Sequence, residues 1–418
     1  MENYSIILFL LAVMIGLSAV ADKIKLPYPI LMVIAGIAVG FIPGMPKIEL
    51  SPDIVFLLFL PPMLYDAAFN ISWHEFKRNI NTISSLAFAL VFLTAVGIAV
   101  TAYFLIPGMT WPLAFVLGAI LSATDAVAAT SITKGLGLTH KTLTILEGES
   151  LINDASGLIA YRLAVAAVAG SSFIFWKAGV QFLVLIAGGV AVGLVFGKLL
   201  GLILKWMPAD KVVAISFTIL MPFIVYAVAE EVHVSGVIAV VTLGLTISQF
   251  ARRLFPDDTK AQSKSIWEII VFILNGLVFV LIGLEFPYVL GNIDPQEVAP
   301  LIGYSFVICA VALVIRMARV FLQKINLDRA FQKTQSSKWE DAQLDWKNCL
   351  IISWSGMRGI VSLATAIALP ITMADGQAFP QRDTIIFIAV MTVLITLVLQ
   401  GLSLPWLVNR LGVDQCAE

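Results

Sequence analysis

The chain has 418 residues, of which 60% are hydrophobic and only 13% charged, with a net charge of −1 and a mean hydropathy of +0.97. Ordinary globular domains carry roughly 25% charged residues, so there is too little charge here to cover soluble cores, and a near-zero balance excludes a nucleic-acid partner held by phosphate neutralisation. Disordered, collagen-like and disulfide-stapled chains are excluded as well, which leaves a polytopic membrane protein.

Thirteen apolar segments follow one another near residues 4–21, 27–44, 52–70, 78–106, 111–133, 141–168, 176–205, 211–230, 233–251, 264–289, 297–323, 346–372 and 382–410. Most match the roughly 20 helical residues that cross a ~30 Å hydrocarbon core. They are continuously apolar rather than alternating, which predicts helices and not a barrel. Ala19, Val20 and Ala21 resemble a signal-peptide cleavage site, but Met1, Glu2 and Asn3 supply no basic residue ahead of the apolar run. Segment 1 therefore reads as a membrane helix.

Lys and Arg set the expected orientation. With the N-terminus outside, three of the 26 (Lys47, Lys177, Arg382) fall in outside loops and five (Arg162, Lys198, Arg316, Arg319, Arg358) inside segments, and all the others fall in inside loops. That asymmetry predicts N-out, C-in. The one long polar stretch, 324–347, reads as a cytoplasmic loop holding a short helix. Short loops and an early end to the chain point to a prokaryotic plasma membrane. Cys309, Cys349 and Cys416 are widely separated, as are His74, His140 and His233, so no zinc site is visible. No phosphate-binding glycine loop supplies an ATP-driven motor. Neither an enzymatic cofactor nor a nucleic-acid partner is expected.

The segments nevertheless carry charges, and each costs several kcal/mol near the bilayer centre. Lys198, Arg316 and Arg319 lie in the inner portions of their predicted spans, and Arg162 near an outer end, where long side chains can snorkel. Arg358 falls at mid-segment and cannot. Asp125 and Asp154 are central in segments 5 and 6, Asp66 lies in the inner half of segment 3, and Glu147 and Glu149 in the inner half of segment 6. Gathered at one depth, these acids favour an ion pathway over isolated structural pairs. In segment 6, Ser150, Asn153 and Asp154 fall at i, i+3 and i+4 and share a helical face, bordered by Glu149. A hydroxyl, an amide oxygen and a carboxylate are hard ligands suited to a small hard cation.

Segments 5 and 12 carry small polar residues at mid-span, through Ser122, Thr124 and Asp125 in one and Ser353, Ser355, Gly356 and Gly359 in the other. Both helices can break there and turn backbone groups toward a cavity. The segments are seven apart and so run in opposite directions, as inverted repeats with two interrupted crossing helices require. The alternative is that Gly356 and Gly359 only permit close helix packing.

At these residues the chain resembles a known family. Ala123, Thr124, Asp125, Ala126 and Val127, the run from Glu147 through Gly148, Glu149, Ser150, Asn153 and Asp154 to Ala155, and Gly356, Met357, Arg358 and Gly359 are similar to the signatures of the sodium/proton exchangers of the cation/proton antiporter-1 branch. The resemblance implies an all-α antiporter exchanging a monovalent cation for protons, electroneutrally and without a cofactor. It implies a homodimer in which dimerisation and mobile core parts interleave within one unit spanning 1–418, the core including 78–168 and 297–410. Asp154 would be the principal cation- and proton-binding carboxylate, and Asn153 the neutral neighbour of the electroneutral branch. Ser150 would offer its hydroxyl and Thr124 its main-chain carbonyl to the transported ion. Asp125 would act through water or as a helix-end charge, and Asp66, after Pro61 and Pro62, would line the ion path. Glu149 and Arg358 would form an intramembrane ion pair. Na+, Li+ and K+ all remain open as substrates. Two other readings are a cation channel with a ring of acids and an intramembrane aspartyl protease. Tyr65 and Asp66 resemble half of the protease signature, but Gly135, Leu136 and Gly137 are followed by Leu138 where an Asp is needed.

Overall fold

The computed structural model describes residues 9–19, 28–42, 52–125, 129–130, 132, 138–170, 175–206, 211–334, 343–373 and 376–412. Among them the secondary structure is helical apart from one isolated antiparallel bridge, Thr372 with Ala378. Seven helices are long and apolar enough to cross a membrane, and shorter apolar helices accompany them.

The elements appear in the order of the predicted segments. They begin with α1 (Phe9–Ala19), α2 (Tyr28–Gly40) and α3 (Pro52–Asn70), which contains Pro61 and Pro62. Next come the short α4 (Trp73–Arg78) and α5 (Ile80–Leu105), which has a π-helical turn over Ser85–Leu90. They are followed by α6 (Trp111–Ser122), α7 (His140–Val168), α8 (Phe175–Trp206), α9 (Lys211–Glu231), α10 (Gly236–Leu254) and α11 (Asp257–Gly291). Last are α12 (Pro295–Thr334), the short α13 (Trp346–Trp354) and α14 (Ile360–Ile367), and α15 (Arg382–Leu411). Helix starts are set locally: the Thr139 hydroxyl accepts the Thr142 amide and the Ser235 hydroxyl accepts the Ile238 amide, each at 3.3 Å. Gly412, at φ 62°, ends α15 in the left-handed conformation that glycine tolerates.

Segments 5 and 12 are interrupted, as expected. Helix α6 stops at Ser122 because Ala123 is extended (φ −72°, ψ 142°). The second interruption separates α13 from α14 at residues 355–359. One boundary departs from expectation. The loop expected over 324–347 begins as helix, since α12 continues to Thr334; residues 335–342 lie outside the described ones. Mean hydropathy missed this extension because it is amphipathic. Leu327 is buried in a core with Val320 and Leu344, while Lys324 and Asp328 pair one turn apart at 2.5 Å.

The chain divides into two units. The first comprises residues 1–50, 74–170 and 276–418, the second residues 51–73 and 171–275. Within the first, a core of Leu86, Leu90, Ile145, Leu146, Val320, Cys349 and Ile352 ties α5, α7, α12 and α13 together.

Within the second unit, α8 lies against α10 through Gly189, Gly193, Gly197 and Gly201, one per turn. A Cβ on each would meet the Ser235 carbonyl, the Ala239 carbonyl, Thr246 and the Phe250 ring respectively. Small residues allow such backbone approach, and it supplies the dispersion contact that replaces a hydrophobic drive in lipid. Gly193→Leu should therefore lower the thermal midpoint in detergent, by the ~1–3 kcal/mol or more typical of overpacking. Gly179→Leu on the same helix, where a Cβ has nothing within 4 Å, should leave the midpoint unchanged.

Candidate functional site

The site is built in the first unit, where the two interruptions meet. The Asp125 amide donates to the Met357 carbonyl at 2.8 Å, joining the extended backbone of one break to that of the other. Each break then supplies a charge to the helix end of its neighbour. The Asp125 carboxylate accepts the Ile360 amide at 3.3 Å, at the N-terminus of α14. The Arg358 side chain donates through Nε to the Leu121 carbonyl at 3.0 Å and through Nη1 to the Gly356 carbonyl at 2.8 Å. Leu121 lies in the last turn of α6, so an anion sits at a helix start and a cation at a helix end, both the favoured polarity. The Arg358 amide donates to the Thr396 hydroxyl of α15 at 3.2 Å.

The two glycines of segment 12 have separate reasons. A Cβ at Gly359 would collide with the Asp125 carboxylate, and one at Gly356 with the Arg316 guanidinium. Both positions keep side chains off charged groups, a demand beyond helix packing.

Helix α7 presents Glu149, Ser150, Asn153 and Asp154 to this crossing. The Ser150 hydroxyl donates to the Thr124 carbonyl at 3.0 Å. Asn153 Nδ2 donates to the Thr124 hydroxyl at 2.8 Å and lies 3.4 Å from the Thr124 carbonyl. The Thr124 hydroxyl in turn donates to Glu149 Oε1 at 3.2 Å. Thr124 is thus held by donors on both its oxygens, Asn153 and Ser150 from α7 and Arg316 Nη1 at 3.5 Å.

The partner of Glu149 differs from the expected Arg358. Arg316 of α12 holds the Glu149 carboxylate through both terminal nitrogens, Nη1 on Oε1 and Nη2 on Oε2, the latter at 2.9 Å. Its Nε donates to the Ile352 carbonyl at 3.0 Å. The pair is fully buried, at 2% and 1% exposure. A span that ends at residue 323, where hydropathy falls, puts Arg316 near an inner helix end. With α12 running from Pro295 to Thr334, Arg316 lies near the middle of a 40-residue helix and cannot reach a helix end. Arg319, grouped with it as a snorkelling residue, donates to the Ser85 hydroxyl of the π-helical turn, which bonds Gln323 at 2.9 Å. Lys198 of α8 is exposed.

Asp154 is the exception among these groups. It is only 9% exposed, and among the described residues its carboxylate accepts no hydrogen bond and pairs with no cation. The charges acting on it most strongly, Asp125 and Glu149, are of like sign. Asp66 belongs to the second unit, where its carboxylate accepts Asn70 Nδ2 at 2.8 Å. No cluster of three His, Cys, Asp or Glu side chains occurs among the described residues.

Residues 8–410 match the family described as "Sodium/hydrogen exchanger, transmembrane". The chain belongs to the sodium/hydrogen exchanger family. It is 34% identical over 420 residues to the sodium, potassium, lithium and rubidium/H(+) antiporter of Bacillus pumilus, covering 98% of this chain and 62% of that protein. It is 31% identical to the Na(+)/H(+) antiporter NhaH of Halobacillus dabanensis, with 97% of each chain covered. The fold matches that of the sodium proton antiporter MjNhaP1 from Methanocaldococcus jannaschii, with a TM-score of 0.75 and 20% identity over 98% of this chain and 99% of that one. Exchanger family and fold are those of a multi-pass membrane transporter, not of an enzyme.

Proposed function

We propose that this exchanger is a secondary antiporter that trades one monovalent cation, Na+ first, for one proton by alternating access, with Asp154 as the carboxylate both ligands share. The observation that carries this reading is Asp154 itself, buried beside the crossed breaks with no protein partner among the described residues. A structural acid would have a cation or donors, as Glu149 and Asp125 do. An anion left bare in the membrane is expensive to carry across. Neutralised by a proton or by a monovalent cation, the group crosses cheaply, and exchange is coupled without a dedicated gate. One charge in and one out leaves the cycle indifferent to voltage.

The remaining roles follow the same chemistry. The Ser150 hydroxyl, which donates its proton to the Thr124 carbonyl, would offer its oxygen to the cation. Thr124 would contribute its carbonyl by exchanging a hydrogen bond for the ion. Asp125 serves as a helix-end charge, and Asp66 lines the ion path. The protein would work as a homodimer in the plasma membrane, N-terminus outside and C-terminus cytoplasmic, with 78–168 and 297–410 in the mobile core. K+/H+ exchange at the same site is the second reading, favoured by the naming of potassium and rubidium for the Bacillus pumilus relative.

Purified protein in liposomes should take up Na+ when a pH gradient is imposed, and clamping the membrane potential at different values should not change the rate. A rate that follows the potential overturns the one-for-one stoichiometry. Absence of gradient-driven uptake with Na+, Li+ and K+ each tested overturns the antiporter reading as a whole.

A further inference from the structure

Buried hydroxyls in the first unit usually satisfy themselves within their own helix. Thr365 donates to the Val361 carbonyl, Thr396 to that of Val393, Ser305 to that of Leu301 and Ser353 to that of Cys349, all within 3.0 Å. Among the described residues of this unit eight buried side chains hold an oxygen with no hydrogen-bond partner: Asn79, Thr82, Asn153 and Asn348, and, in one region, Ser355, Ser362, Thr392 and Gln400. The last four are related in position. Thr392, Thr396 and Gln400 recur every fourth residue and share one face of α15.

That face runs antiparallel to the broken segment 346–367. Arg382 bonds the carbonyls of Ile367 and Leu369 at one end, the Arg358 amide meets Thr396 midway, and Trp354 Nε1 donates to the Ser403 hydroxyl at the other. Counted from the Arg358–Thr396 bond in this antiparallel sense, Ser362 falls level with Thr392 and Ser355 near the level of Gln400, one couple on each side of that bond. Buried polar oxygens need donors, and among the described residues no side chain donates to these four.

We propose that α15 and the broken segment enclose a buried water site, its water molecules held by Ser362 and Thr392 on one side of Arg358 and by Ser355 and Gln400 on the other. Water is the ligand that fits, since each member can both donate and accept. A hydroxyl bonded to exchangeable water steadies the break without locking it to a fixed carbonyl. The proposal does not depend on which ion Asp154 carries.

Pulsed hydroxyl-radical labelling in H2-18O tests it on the full chain in lipid nanodiscs, because water bound beside a buried methionine generates radicals in place. Met357 and Met32 are both 0% exposed, and Met357 lies within the broken segment itself whereas Met32 lies in α2. Met357 should take up label severalfold faster than Met32, and the Thr392→Val, Gln400→Leu double variant should bring it down to the Met32 level. If the double variant fails to fold, Thr392→Val alone should still reduce the Met357 label. Equal labelling of the two methionines in the parent protein overturns the proposal, as does Met357 labelling that these substitutions leave unchanged.

Discussion

Asp154→Asn should abolish pH-gradient-driven cation uptake while leaving the protein at least as stable as the parent. The two halves of this expectation have one origin. Among the described residues nothing donates to the Asp154 carboxylate, so an amide of the same shape strands no partner. Removing one member of a buried pair normally costs several kcal/mol because the other is left behind; here the described residues hold no other member. Transport is lost because the amide can neither bind a proton reversibly nor cancel a cation's charge. The measurements are uptake in proteoliposomes and a thermal melt in detergent. Coupled exchange persisting in the variant would remove Asp154 from the site. A melt lowered by several degrees would mean that the carboxylate has a structural partner after all.

Much of this site could be read in the sequence, for reasons that individual residues make plain. Ser150, Asn153 and Asp154 were placed together by helical spacing alone, and the bonds of Ser150 and Asn153 to Thr124 come from that shared face. The breaks at 123–125 and 355–359 were signalled by small polar residues inside apolar runs, where a helix gives up little packing by stopping. What the sequence hid depends on contacts between helices far apart in the chain. The glycines of α8 are intelligible only once Ala239 and Thr246 lie opposite them. The partner of Glu149 was hidden for a different reason. Hydropathy ends a span where polar residues begin, but α12 continues as an amphipathic helix to Thr334. The misplaced end made Arg316 look able to reach water and left Arg358 as the only trapped cation available to Glu149.

The two arginines can be separated by experiment. Arg316→Ala leaves Glu149 buried with the Thr124 hydroxyl as its one remaining donor among the described residues, and stranding one charge of a buried pair costs about 3–5 kcal/mol. Arg358→Ala removes bonds from a charged donor to the Leu121 and Gly356 carbonyls but strands no carboxylate; charged hydrogen bonds of this kind are worth roughly 1.5–3 kcal/mol each at most. Both substitutions should therefore lower the thermal midpoint, by comparable amounts. The decisive comparison adds Glu149→Gln to each. It should restore much of the stability lost with Arg316, because the stranded charge disappears with it. It should restore none of the loss caused by Arg358→Ala, and should add the cost of breaking the intact pair. If Glu149→Gln instead rescues Arg358→Ala and leaves Arg316→Ala unaided, Glu149 is paired with Arg358 in the folded protein, and the geometry at the crossing has to be redrawn around that bond.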